Sequence, residues 1–96
     1  MSELKSIVQN PTDNRCFVCG STRNLEWHHI MHGTANRRLS TTYGLTCWLC
    51  HTHHTGSLGV HTDIILNERL QKEAQKAFEA IYGHKVWMQT FKKNYL

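Results

Sequence analysis

Histidine and cysteine are concentrated in one stretch of this chain, and that concentration constrains its fold more than any other feature. Seven of the eight histidines and two of the four cysteines lie between Glu26 and His61, and the adjacent pair His28-His29 begins the run. Imidazole is the commonest neutral metal ligand in proteins, and its unperturbed pKa lies near physiological pH. The stretch therefore predicts a site where metal binding and proton transfer occur together.

The length and composition favour one small domain that needs support beyond its hydrophobic core. At 96 residues with 40% hydrophobic side chains, such a core is only marginally self-sufficient, and a structural metal is a standard remedy. No apolar run approaches the roughly 18 residues of a membrane span, and the N-terminus has no signal-peptide core. We therefore expect a cytoplasmic chain with no membrane partner, whose reduced cysteines bind metal rather than form disulfides.

The charge of the chain favours a polyanionic partner. The formal net charge is +4 and the sequence pI is near 9.0 before any histidine is protonated. An excess of positive charge attracts nucleic acid, although a modest excess is also common among proteins that bind none.

Three stretches of the chain differ in composition. Residues 1–14 are polar and predict a short N-terminal lead-in. Residues 15–61 contain every cysteine and all but one histidine. Within them, residues 25–30 and 44–49 are expected to form strands, and residues 33–40 a polar, basic loop.

From about residue 62 the pattern becomes helical. Thr62 or Asp63 can cap a first helix, Gly83 is its expected stop, and a shorter helix is expected from about Lys85 to Lys92. The apolar residues at helical steps are Leu66, Leu70, Ala74, Ala77, Phe78 and Ile81. We interpret these helices as a brace that packs on the Cys/His stretch, so that residues 15–96 form a single domain. A partner-binding helix is the alternative.

The cysteine spacing predicts a zinc site. Cys16-x-x-Cys19 supplies one half of a tetrahedral set, because a tight turn can present two thiolates to one ion. Two registers supply the other half: Cys47-x-x-Cys50 gives four thiolates, and Cys50-x-x-His53 gives three thiolates and an imidazole. Burial as small core residues is the alternative for all of these cysteines.

The histidine pair indicates a second site. Neighbouring side chains of a strand point to opposite faces. His28 and His29 can therefore serve one site only where the strand ends or bends, one as a metal ligand and the other beside a water. His54, in the later Cys-x-x-His-His cluster, is a natural companion.

In combination these motifs resemble the HNH endonuclease superfamily in its zinc-stapled form, and especially the small HNH proteins of bacteriophages and prophages. The resemblance covers roughly residues 15–96. It implies an α+β fold built on a small ββα-metal core with a structural zinc and C-terminal helices. The segments that carry it are Cys16-x-x-Cys19, His28-His29-Ile30, Leu49-Cys50-x-x-His53-His54, Ala35 to Ser40, Tyr43-Gly44-Leu45, Gly59-Val60-His61 and Ala74 to Phe78.

The resemblance also assigns roles to residues. It implies that His28 binds a catalytic metal, that His29 is the general base, and that His54 is the second ligand of that metal. It implies a structural zinc held by Cys16, Cys19, Cys50 and His53, with His53 standing where a second cysteine is usual.

Two departures from the family pattern concern the catalytic site. The usual third metal ligand falls on Leu58, so His61 is the expected substitute, with His51 as a second choice. The family asparagine, which helps to orient the base, falls on Leu45. Asn36 is the expected replacement from another direction.

The resemblance implies a metal-dependent DNA endonuclease or nickase that hydrolyses phosphodiester bonds in phage replication, recombination or packaging. Its cofactors would be the structural Zn²⁺ and one catalytic Mg²⁺, Mn²⁺, Ni²⁺ or Zn²⁺. Arg37 and Arg38 would hold neighbouring DNA phosphates, since a guanidinium binds phosphate with two parallel hydrogen bonds. Partners would be DNA and either a second copy or other DNA-processing proteins, in the cytoplasm of a bacterial host.

Two other classes of function fit the same residues. One is a catalytically silent, zinc-stabilised DNA-binding or adaptor module, which needs the cysteine site but not the histidine pair. The other is a protein-interaction factor, for example a phage inhibitor of a host system.

Overall fold

A two-stranded antiparallel sheet and four helices make up the protein, as seen in a computed structural model that describes residues 5–56 and 59–96. This arrangement confirms the predicted α+β class. After a 3-10 turn at Pro11–Asp13, the elements in chain order are β1 Leu25–His29, α1 Thr34–Tyr43, β2 Thr46–Cys50, α2 His51–His54, α3 Ile64–Tyr82 and α4 His84–Phe91.

The sheet register places a cysteine at one end of the sheet and a histidine at the other. Leu25 pairs with Cys50 at one end of the sheet and His29 pairs with Thr46 at the other. Both predicted strands are confirmed, each with shifts of one or two residues at its ends. β1 ends at His29, so the histidine pair lies where the strand stops.

The prediction of a loop over residues 33–40 is wrong, because this segment belongs to α1. Gly33, at φ 93°, precedes the helix, and Gly44, at φ 71°, ends it with its N–H donating to the carbonyl of Ser40. Such left-handed backbone favours glycine. The sequence signal for this helix is weak because its apolar residues are few, namely Ala35, Leu39 and Tyr43 at steps of four.

Ser40 fastens α1 to the turn after β1. Its side chain is fully buried. Its hydroxyl accepts from the N–H of Met31 at 3.1 Å and lies 3.2 Å from the carbonyl of the same residue, to which it donates. Because both backbone groups of Met31 are satisfied by one side chain, the exposed face of α1 is held in place next to the end of β1.

The C-terminal helices form where the sequence predicts them. Asp63 caps α3 by accepting from the N–H of Leu66, and Gly83, at φ 89°, separates α3 from α4. Leu70, Ala74 and Phe78 of the predicted α3 stripe lie in one buried cluster with residues of the sheet, and Leu66 packs against it. Ala77 is not in that cluster, and Ile81 is 58% exposed, contrary to prediction. The cluster includes Ile30, Leu45, Leu49, Leu70, Ala74, Phe78 and Trp87.

Segments near both ends of the described chain form hydrogen bonds with the sheet and with α3. The lead-in lies beside β2, where the N–H of Trp48 donates to Gln9 and the indole N–H of Trp48 donates to the carbonyl of Pro11. Near the C-terminus, the buried side chain of Gln75 bonds to Asn94 and to the backbone of Tyr95. Within the described residues, no helix is both long and apolar enough to cross a membrane.

Candidate metal centres

Three cysteines and one histidine gather at one end of the sheet. Cys16 and Cys19 lie in a turn that Gly20 closes, at φ 77°, by donating its N–H to the carbonyl of Cys16. Cys50 is the last residue of β2, and His53 follows in α2. Their ligand atoms all lie within 4.8 Å of one another, so this Cys3His cluster could hold a structural metal such as zinc.

The distances within the Cys3His cluster suit a tetrahedral zinc ion. Two sulfurs that each lie about 2.3 Å from a tetrahedral zinc are about 3.8 Å apart. The Sγ atoms of Cys19 and Cys50 are 3.8 Å apart. The Nδ1 atom of His53 lies 3.2 Å from Sγ of Cys50 and 3.9 Å from Sγ of Cys16.

Cys47 lies outside this cluster. It occupies β2 opposite His28 and is fully buried in the hydrophobic core. Burial strongly raises the pKa of its thiol, so Cys47 remains protonated and is a poor metal ligand. Of the two registers left open by the sequence, the structure brings together the one that uses His53.

The pKa of the Cys16 thiol is shifted in the opposite direction, below its usual value. Burial raises its pKa, but hydrogen bonds from the backbone N–H groups of Cys50, Cys19 and Val18 more than offset this, so the pKa is lowered. Because the thiolate is the form that binds metal, these N–H groups favour a ligand at Cys16.

Three histidines form a second cluster, at the cleft described below. His28 comes from β1, His54 from α2 and His61 from the segment that leads into α3. Their ligand atoms also lie within 4.8 Å of one another. Leu58, the position at which the sequence resemblance would place a third ligand, lies outside the described residues.

The Nε2 atom of His28 is a buried polar atom without a hydrogen-bond partner in the described part of the chain. Burial of its ring, followed by the charges of neighbouring imidazoles, lowers the pKa of His28 to about 3. The ring is therefore neutral and offers a lone pair. Since orphaned buried polar atoms are rare, a metal ion is a fitting partner.

Glu26 orients the second ligand of this cluster. Its Oε1 atom lies 2.8 Å from Nδ1 of His54, and its Oε2 atom lies 3.5 Å from Nδ1 of His51. When Nδ1 of His54 donates to the carboxylate, Nε2 is left as the metal-binding atom. Sequence reasoning missed Glu26, although strand alternation places residues 26 and 28 on the same face of β1.

His32 is a further neighbour that the sequence left without a role. Its ring centroid lies 5.3 Å from that of His28 and 5.6 Å from that of His61. Its Nε2 atom lies 2.8 Å from Oδ1 of Asn67, which belongs to α3. The contact therefore fastens the turn after β1 to the helical end of the molecule.

The loop before α3 brings His61 to the cluster. A Cβ at Gly59 would overlap the carbonyl oxygen of His54, so glycine allows a close approach there. The N–H of Val60 then donates to the carbonyl of His53 at 3.0 Å.

The histidine cluster opens into a cleft of about 740 Å³. His28, His54 and His61 line it, together with residues on the exposed face of α1. Among the described residues, its lining contains two arginines and no acidic side chain. The residues are Trp27, His28, His29, Met31, His32, Gly33, Thr34, Arg37, Arg38, Thr41, His54 and His61.

His29 and both arginines meet in this cleft, whereas Asn36 does not line it. Burial lowers the pKa of His29, and the positive charge of Arg37 lowers it further. Asn36 lies about 200° around α1 from Thr34, because each helical residue advances by about 100°. The structure thus brings together every sequence-predicted residue of the catalytic site except Asn36.

No protein-family model matches the chain, and no curated protein or solved structure is significantly similar to it.

Proposed function

We propose that the protein is a metal-dependent DNA endonuclease or nickase of the HNH type, with the sheet and α2 as its ββα-metal core. The observation that carries this proposal is the cluster of His28, His54 and His61 in a cleft that also contains His29 and two arginines. Three imidazole ligands with a remaining open side are typical of a catalytic rather than a structural metal site.

A divalent cation at this cluster would act as a Lewis acid toward a DNA phosphate and its leaving oxygen. His28, His54 and His61 hold it, and Glu26 keeps His54 in the orientation and tautomer that bind.

His29 acts as the general base. It lies at the end of β1 beside the ligand His28 and faces the same cleft. Its lowered pKa keeps the imidazole neutral at physiological pH, so that it can take a proton from the attacking water. Arg37 and Arg38 bind phosphate oxygens in the same cleft.

The Cys3His cluster serves as a folding zinc in this proposal. It is separate from the cleft, since none of its four residues lines it. A chain with a marginal core gains stability from such an ion, because metal binding and folding are coupled.

Plasmid nicking tests the proposal. Supercoiled plasmid is incubated with the protein and Mg²⁺, Mn²⁺, Ni²⁺ or Zn²⁺, beside His29→Ala and a matched His84→Ala control. His84 lies in α4 and does not line the cleft. We expect metal-dependent nicking that His29→Ala lowers by about 10²–10⁴-fold and His84→Ala leaves unchanged. Nicking that survives His29→Ala contradicts the base assignment.

A catalytically silent DNA-binding module is the second candidate. The observation that favours it is Leu45, which is fully buried in the core at the position where the family has its orienting asparagine. No asparagine is among the residues described as lining the cleft. Retained DNA binding with no nicking in any of the four metals would support this candidate over the enzyme.

A further inference from the structure

Trp27 is a large aromatic side chain that the hydrophobic core does not use. It is half-buried, and it is neither in the buried cluster nor among the partly buried residues packed against that cluster. Instead it lines the cleft, two residues before His29 on β1. An indole placed at a polar, basic cleft offers a flat apolar surface to a ligand.

The ring of Trp27 is held in place from one side. Trp48, its partner across the sheet, lies 4.8 Å away between ring centroids at an interplanar angle of 68°. Trp48 is itself fixed, since its indole N–H donates to the carbonyl of Pro11 at 2.9 Å. A single edge-to-face contact covers at most one face of the Trp27 ring.

A basic face of α1 also lines the cleft. Thr34, Arg37, Arg38 and Thr41 all line the cleft. They lie at positions i, i+3, i+4 and i+7 of α1, which places them along one side of the helix. That side therefore presents two guanidiniums and two hydroxyls to a ligand in the cleft. Each of these groups can donate a hydrogen bond to a phosphate oxygen.

We propose that the cleft binds an unpaired DNA strand, with one base stacked on Trp27 and its neighbouring phosphates bound by α1. An aromatic platform in a basic cleft is the arrangement by which proteins bind single strands. Both faces of a paired base are covered by its neighbours in the stack, and extruding it costs a few kcal/mol. The inference rests on the proposed nuclease for the cleavage step, and it names the substrate as single-stranded, gapped or flapped DNA.

Binding by fluorescence anisotropy tests the inference without relying on cleavage. The probes are a labelled oligothymidine and a hairpin duplex of equal length, and every protein carries His29→Ala. We expect Trp27→Leu to weaken binding of the oligothymidine by about tenfold and to change duplex binding by less than about twofold. Trp27→Phe, which retains an aromatic ring, should keep most of the affinity. Equal losses for both probes, or no loss, would overturn the inference.

Photocrosslinking keeps the inference testable if Trp27→Leu does not fold. An oligothymidine with one 5-iododeoxyuridine is irradiated with the chain that carries Trp27, and the crosslinked peptide is identified by mass spectrometry. A crosslink at Trp27 supports stacking. Crosslinks only at other residues overturn it.

The outcomes for the two proposals are distinguishable. Loss of oligothymidine binding in Trp27→Leu, together with absent nicking by the unaltered protein, would remove the nuclease and retain the strand-binding cleft. Nicking that requires His29, with equal strand binding by the Trp27 variants, would retain the nuclease and remove the inference.

Discussion

The two candidate metal clusters differ in chemistry although they share α2. The Cys3His cluster draws three ligands from sulfur and lies outside the cleft, so its four ligands can complete a tetrahedron. The histidine cluster has three candidate nitrogen ligands and opens into a cleft that His29 and two arginines also line. A closed, sulfur-rich set is typical of a structural ion, and an open set of three nitrogens is typical of a catalytic one.

This difference shows how a short chain can separate stability from reactivity. Soft thiolates favour zinc and leave no position for a substrate. Neutral imidazoles with an open side leave room for water and a phosphate oxygen. The comparison therefore predicts that ligands of the first cluster govern folding and ligands of the second govern metal-dependent activity.

Substitution of Cys16 should have the largest effect. We expect Cys16→Ser to lose about one equivalent of zinc and the cooperative unfolding transition, because structural zinc contributes on the order of 10 kcal/mol to folding. Metal analysis and circular dichroism on heating measure the two losses. Unchanged zinc content and melting would refute the structural role of this cluster.

Substitution of His54 should have the opposite effect to substitution of Cys16, with loss of activity but no loss of fold. We expect His54→Ala to fold and keep its zinc, but to lose nicking by more than the 10–100-fold typical of an outer-shell residue, because a direct ligand is removed. His84→Ala is the matched control, since His84 lies in α4 and does not line the cleft. Unfolding of His54→Ala to the extent of Cys16→Ser would show that the clusters are not separable.

Glu26 tests whether the open cluster depends on its outer contacts. We expect Glu26→Gln to weaken binding of the cleft metal by about 10–100-fold, because the carboxylate no longer orients His54. Calorimetric titration of Mn²⁺ or Ni²⁺ into zinc-loaded protein measures the change. Glu68→Gln, on the exposed side of α3, is the control. An affinity equal to that of the control would remove the orienting role.

Cys47 should show the smallest effect and sharpen the ligand assignment. We expect Cys47→Ala to keep its full zinc content and to lower the free energy of unfolding by about 1–2 kcal/mol, as for other small deletions in a core. Zinc analysis and urea unfolding provide the measurements. Loss of zinc would return Cys47 to the ligand set in place of His53.

Much of this arrangement could be predicted because it depends on local spacing. The Cys-x-x-Cys turn, the two strands and the Asp63 cap each involve residues close together in the chain, and the structure has them. Spacing alone left both Cys47 and His53 open, since each is separated from Cys50 by two residues, and only the resemblance favoured His53. Burial, which depends on the whole fold, separates them.

The parts that could not be predicted depend on distant contacts. Helix α1 gains its anchor from the contact between Ser40 and Met31, and its own apolar stripe is short. Glu26 meets His54 across 28 positions of the chain, and His32 meets Asn67 across 35. The sequence predicts a catalytic role for Asn36 from its place in a basic segment, but helical geometry places Asn36 on the side of α1 away from the cleft.

One peptide bond joins the two clusters. His53 and His54 are consecutive residues of α2, one belonging to each ligand set. An ion that orders α2 through His53 also orders the backbone of His54, so the two sites are linked in free energy. Linkage is reciprocal, so each ion must tighten the other's binding by the same factor. Such cooperativity would make the affinity of the cleft for its cation a measure of whether the Cys3His cluster has ordered α2.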